Sequence, residues 1–155
     1  MSDVVRLISG GTQLVLDACN GQRTIAQASD VFSYISPDFK SWGTDVAGRA
    51  TPKTPVTVHE VVEDANFAKM FGALADNYSK LVLEQHQIVN FVEKYRDWLC
   101  QDGLATFFLF QSGSELFVAF VRCYSGGHLE VYLCPLEYSR VWLADVRRRL
   151  VVPQL

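Results

Sequence analysis

The sequence predicts an α+β fold: an antiparallel sheet, built from a C-terminal three-stranded meander plus an N-terminal hairpin, packed against two main helices. Three observations carry this. Residues 106–111, 115–123 and 128–134 are apolar runs separated by Ser112-Gly113-Ser114 and Ser125-Gly126-Gly127, short glycine-containing breaks that suit antiparallel reversals. Ile88, Phe91, Val92, Tyr95 and Leu99 recur as one apolar stripe of period 3.6 over residues 84–100. Asn20-Gly21 sits between two strand-like segments, and both residue types tolerate the positive φ of a two-residue turn.

In chain order, residues 13–28 read as a hairpin around Asn20-Gly21. Residues 29–43 hold Phe32, Tyr34, Phe39 and Trp42 but are broken at Ser36-Pro37, so they suit a short helical turn or irregular segment. Residues 43–55, rich in Gly, Pro and Thr, read as a surface loop. It is the one candidate linker, but the chain before it would make a poor core, so residues 1–155 are expected to form a single domain. Helical spacing returns over residues 60–75 through Val61, Val62, Ala65, Ala68, Met70, Phe71 and Leu74, with Glu63 or Asp64 near the positive end of the dipole. Gly72 weakens the last turn. The helix over 84–100 starts at Glu84 and is expected to stop at Gly103, with Glu93, Lys94, Arg96 and Asp97 on its wet side. Pro135 stops the meander. Residues 138–149 suit a short helix with Val141, Leu143 and Val146 inward, and 150–152 a final strand ended by Pro153.

The middle run of the meander, Leu116-Phe117-Val118-Ala119-Phe120-Val121, has no polar alternation. A strand apolar on both faces must be covered on both, by its own chain or by another copy. This motivates the expectation of a homo-oligomer.

Composition narrows the function classes. An apolar content of 49% excludes disorder. Fourteen basic against seventeen acidic residues, a net charge of −3, argue against nucleic acid, which needs a basic face to displace counterions. No run spans a membrane, and Met1 to Arg6 lacks a leader's basic and apolar regions, so the cytoplasm is the default. Cysteines 19, 100, 123 and 134 match neither a metal pair nor a compact disulfide scaffold and read as free.

No catalytic residue, metal ligand or cofactor is assigned. His59, His86 and His128 are scattered, and His59-Glu60 lacks the helix-face spacing of a zinc protease. Cys100 or Cys123 could pair with a histidine, but a thiol is activated only where a base or positive field lowers its pKa. Glu63-Asp64 and the scattered Asp17, Asp30, Asp38 and Asp45 suit turns and caps better than general acid–base work. Trp42, Trp98 and Tyr34 read mainly as core or edge packing. The candidate binding residues are Arg147, Arg148 and Arg149 with Trp142 and Tyr138: arginine grips anions bidentately, and Trp and Tyr combine an apolar body with a polar handle. If the segment is extended, Arg147 and Arg149 point away from Arg148.

The strings Thr24-Ile25-Ala26, Asp38-Phe39-Lys40-Ser41-Trp42, Ala105-Thr106-Phe107-Phe108-Leu109-Phe110, Phe117-Val118-Ala119 and Leu150-Val151-Val152-Pro153-Gln154 carry a resemblance. From about residue 14 onward the chain resembles a group of short uncharacterised bacterial proteins, some of the mobile gene cassette type. The resemblance implies a free-standing bacterial protein and no particular activity. The expected function is a non-enzymatic binding or adaptor protein acting as a homo-oligomer, with a protein or small-molecule partner. The alternative is a small enzyme using a carboxylate or cysteine between helix and sheet.

Overall fold

Successive residues of a strand face opposite ways, so the fully buried pair Phe107 and Phe108 needs cover on both sides of the sheet. The chain supplies it itself. The computed structural model describes residues 3–155; Met1 and Ser2, part of the stretch read as lacking a leader, lie outside them. Its elements run β1 (Val5–Leu7), β2 (Leu14–Leu16), β3 (Tyr34–Ile35), α1 (Asp38–Ser41), β4 (Thr54–Val61), α2 (Phe67–Gly72), α3 (Gln85–Lys94), β5 (Ala105–Ser112), β6 (Glu115–Cys123), β7 (Leu129–Pro135) and β8 (Arg149–Pro153). Among the described residues the strands form one eight-stranded sheet in the order β1-β4-β8-β5-β6-β7-β3, and β2 shares the outer edge of β4 with β1.

The α+β class and the meander stand, with Phe107 opposite Phe120 and Phe120 opposite Tyr132. The purely antiparallel sheet does not. β8 lies parallel to β5, and β3 parallel to β7. Residues 136–148 separate β7 from β8, long enough to cross a face, so no tight turn dictates the direction of return.

One face carries Phe108, Phe110, Phe117, Val121 and Val151 beneath Ile88, Phe91 and Val92 of α3 and Phe39 of α1. The other carries Phe107, Leu109, Val118, Phe120 and Leu150 beneath Phe67, Met70 and Phe71 of α2 and beneath Trp142. Both faces of β6 are thus covered within the chain, and the apolar middle strand requires no second copy.

Three other expectations are corrected. There is no hairpin over 13–28: β2 pairs with β4, Leu14 opposite Val56, and Cys19 bridges Thr51. Gly21 does adopt a positive φ of 86°, but its carbonyl accepts the Gly48 N–H, so the chain turns toward residues 48–51 instead of back on itself. The helix over 60–75 shrinks to α2, because Val61 belongs to β4 and the cap is Asn66, whose side chain accepts the Lys69 N–H at 2.9 Å. Strand β4 was hidden by Pro52, Pro55 and the Thr-rich composition of its start. Finally, residues 138–149 are not a helix but extended chain with one 3-10 turn at Ala144–Val146. Trp142 exchanges backbone hydrogen bonds with Ala65, and Asp64 Oδ1 accepts the Ala144 N–H at 2.8 Å.

Helix α3 begins as expected, with Glu84 and Gln87 forming a reciprocal capping box. It ends at Tyr95 rather than near Gly103, passing into a 3-10 turn at Arg96–Trp98. Its first turn also anchors the loop read as a possible linker. Gln85 Nε2 donates to the Thr44 carbonyl at 2.6 Å, and a ring nitrogen of His86 lies 3.0 Å from the Arg49 carbonyl.

Candidate functional site

Between Pro135 and β8 the chain crosses one face of the sheet in extended form, and alternation sorts its side chains. Trp142 turns inward and is 3% exposed, while Val141 and Leu143 turn outward at 54% and 56%. The indole ring lies against Phe67, Phe107 and Phe120, with centroids 5.5, 5.0 and 5.8 Å away. Phe120 in turn stacks on Tyr132 at 4.9 Å, and Tyr132 meets Tyr34 at 5.5 Å. The result is a row of aromatic rings running from Trp142 to the edge strand β3.

Three guanidinium groups sit on this row. Arg140 and Arg148 lie 4.2 and 4.9 Å from the Trp142 centroid. Arg122 lies 5.7 Å from Phe120 and 5.3 Å from Tyr132. Cations are drawn to the negative faces of aromatic rings, which explains why these side chains gather here. Asp145 lends Arg148 some favourable charge at a distance, but none of the three is held in an ion pair. Among the described residues the ion pairs are Arg6–Glu60, Arg23 with Asp30 and Glu93, Arg49–Glu84, Lys94–Asp17 and His128–Glu130, and none uses Arg122, Arg140 or Arg148. The one side-chain hydrogen bond among the three runs from Arg148 to the Leu143 carbonyl at 3.0 Å. Burial, then the nearby Arg140 charge, push the Arg148 pKa below its ordinary value.

The carboxylate facing Arg122 across the ladder is already taken. Glu130 stands directly across the ladder from Arg122. It accepts hydrogen bonds from Tyr132 at 2.6 Å and Tyr124 at 3.2 Å, and His128 lies 3.3 Å away. These contacts, Tyr132 first, hold the Glu130 pKa low, while the same bond pushes the Tyr132 phenol up to about 12. The indole N–H of Trp142 is buried without a partner as well. The face is therefore a cluster of donors with too few acceptors.

Comparison with protein-family models, curated proteins and solved structures gives no match. The reading of this face rests on its own chemistry.

Of the five residues singled out in the sequence, the fold brings together Trp142 and Arg148. Arg149 belongs to β8 and donates to the Trp98 carbonyl at 3.0 Å, which makes it a structural tie. Arg147 is an exposed turn residue with φ 48°. Tyr138 is exposed, and no aromatic contact joins it to the row. Arg122 and Arg140 were missed. Each stands two residues from an aromatic partner on extended chain, Phe120 and Trp142, and same-side period-two spacing is the signal that would have found them.

The chemistry weighed for an enzyme is dispersed. His59, His86 and His128 lie on β4, on α3 and beside a turn, and the described residues hold no group of three or more potential metal ligands. The four cysteines are free, and none hydrogen-bonds a histidine. Burial pushes the thiols of Cys100, Cys123 and Cys134 up, the last to about 11, the opposite of activation. Asp17 and Asp30 pair with Lys94 and Arg23, and Asp45 accepts from Thr24 at 2.6 Å. Trp42 lies exposed beside Phe117. No helix among the described residues is long and apolar enough to cross a membrane.

His59 has a measurable consequence. It is 9% exposed, and burial holds its pKa below the ordinary 6.5. The unfolded chain therefore takes up a proton below about pH 6.5 that the folded chain refuses until lower pH. Stability should fall as pH drops through this window, with a His59 contribution of at most about 1.4 kcal/mol per pH unit. Urea titrations from pH 7 to 5 should show that slope, and His59→Gln should flatten it. The carboxylates with lowered pKa act only at more acidic pH.

Proposed function

We propose that the protein is a non-enzymatic binding module whose arginine–aromatic face holds a carboxylate-bearing segment of a partner protein. The observation that carries this is the donor surplus: Arg122, Arg140 and Arg148 gather on one aromatic row without a carboxylate partner. Oxyanions supply the missing acceptors, and arginine meets a carboxylate with two parallel donors. The exposed Val141 and Leu143 beside it favour a protein segment over a bare anion, since interface centres combine arginine and aromatic anchors with apolar contacts.

The test is fluorescence anisotropy with a labelled peptide alternating Glu and Leu. Wild-type protein should bind it more weakly as salt rises, because the Debye length shortens. Changing Arg122, Arg140 and Arg148 together to Ala should weaken binding by at least about 100-fold, the loss of one or two charge-assisted contacts at roughly 1.5–3 kcal/mol each. Arg147→Ala should leave it unchanged. Equal binding of a Gln–Leu peptide, or no loss in the triple variant, would defeat the proposal.

A second copy of the chain is the other occupant that an observation favours, since the whole protein carries a net charge of −3 while these arginines share one face. On this reading the adaptor works as a homo-oligomer. Sedimentation at high concentration should then show a salt-sensitive dimer that the triple variant lacks.

A further inference from the structure

A cleft of about 580 Å³ opens where β1 and β2 part from each other along the edge of β4. None of the arginine–aromatic residues lines it. Its volume falls within the range of about 300–1,000 Å³ usual for small-molecule sites.

The polar groups of its wall are held in place from behind. Ser9 is buried, and its Oγ accepts the Val58 N–H at 2.9 Å, standing in for a strand carbonyl. That leaves the Ser9 hydroxyl proton available to donate. Thr57 Oγ1 and His59 Nε2 lie 3.0 Å apart, which leaves Nδ1 of the buried imidazole without a hydrogen-bond partner among the described residues. Gln13 and Gln154 add amides, while Leu7 and Leu155 add exposed apolar surface.

The glycines of the rim have no conformational reason to be glycines. Thr12 N–H closes a turn onto the Ser9 carbonyl at 3.0 Å, and neither Gly10 nor Gly11 has a positive φ. A Cβ on Gly11 would meet nothing within 4 Å, and one on Gly10 only the Leu7 side chain at 3.4 Å. What their missing side chains do provide is an open mouth.

No side chain in the lining carries a formal charge, apart from the imidazole, which burial keeps neutral near pH 7. An anionic ligand would surrender hydration there without gaining an opposite charge. The hydroxyls, amides and imidazole instead combine donors and acceptors, as ligand hydroxyls do. The apolar surface beside them suits the C–H face of a sugar ring. We infer that this cleft is a binding site for a neutral polyhydroxylated ligand of the saccharide type, its hydroxyl edge on Ser9, Thr57 and His59 and its C–H face on Leu7 and Leu155.

The test is nuclear magnetic resonance on the ¹⁵N-labelled full chain, titrated separately with glucose, galactose and sucrose, and with glucose 6-phosphate and N-acetylglycinamide as charged and amide probes. At least one neutral sugar should give saturable shifts at Ser9, Gly10, Gly11, Thr57 and His59. Gly10→Leu should fold with an unchanged thermal midpoint and weaken that binding by about tenfold or more. Thr57→Val should weaken it in the same direction, so the outcome does not hang on one variant. Absence of saturable shifts with all three sugars, a stronger response to the phosphate or amide probe, or sugar binding unaltered in the folded variants would overturn the inference.

Discussion

Phe107→Ala should destabilise the protein by about 3–5 kcal/mol, the range for deleting a fully enclosed aromatic side chain. At roughly 2–4 °C per kcal/mol for a chain of this size, the thermal midpoint should drop by about 6–20 °C. Phe107 is fully buried at the Trp142 end of the aromatic row. Its ring meets Phe67 of α2 edge-on at 5.0 Å, Trp142 at 5.0 Å and Phe120 at 6.4 Å. Truncation leaves a hole bounded by three bulky rings fixed to three different elements, so collapse into it is difficult. The loss should extend to the proposed binding face, because Trp142 is the platform under Arg140 and Arg148. Chemical denaturation gives the stability, and peptide anisotropy gives the binding. A cost below 1 kcal/mol would show that the face packs less tightly than described.

Gln85→Ala should cost about 1–3 kcal/mol, although glutamine on a helix surface is normally worth little. Gln85 is 7% exposed, and both ends of its amide are engaged by backbone. Oε1 accepts the Ile25 N–H at 3.0 Å, and Nε2 donates to the Thr44 carbonyl at 2.6 Å. Alanine would orphan the buried Ile25 N–H, at a desolvation penalty of roughly 1–3 kcal/mol, while the Thr44 carbonyl would keep the Val46 N–H at 2.8 Å. The neighbouring turn offers no slack: a Cβ on Gly21 would sit 2.5 Å from the Arg49 carbonyl carbon. Hydrogen exchange should show the Ile25 amide losing protection ahead of β5 and β6. Loss of stability without that local signature would point to the helix itself.

These two residues mark the limits of what could be read before folding. Phe107 belongs to an apolar run whose strand character and turns are local, and the meander was legible from them. The same holds for the helix start at Glu84; its capping partner Gln87, only three residues on, went unread. Gln85 between them gave no such sign, since its partners lie 60 and 41 residues away. Likewise Arg148 and Trp142 were noticed by proximity in sequence. Arg122 could join them only because β6 runs beneath the returning chain.

The strand and helix periods, the glycine turns of the meander, the cap of α3 and the self-stopping Pro153 were determined by the sequence alone, because each depends on backbone chemistry within a few residues. Tertiary structure decided the rest. It set β8 parallel beside β5, made residues 54–61 a strand, and spread 138–149 as extended chain over the sheet. It also settled the cover of the two-faced β6, using α3 on one side and α2 with Trp142 on the other. Hydrophobic burial is non-directional, so an apolar face states that it must be covered without stating by what. Only the packed chain, where each surface competes for partners far away in sequence, can choose the cover. The same choice left three arginines on one aromatic row and outside the ion pairs of the described residues.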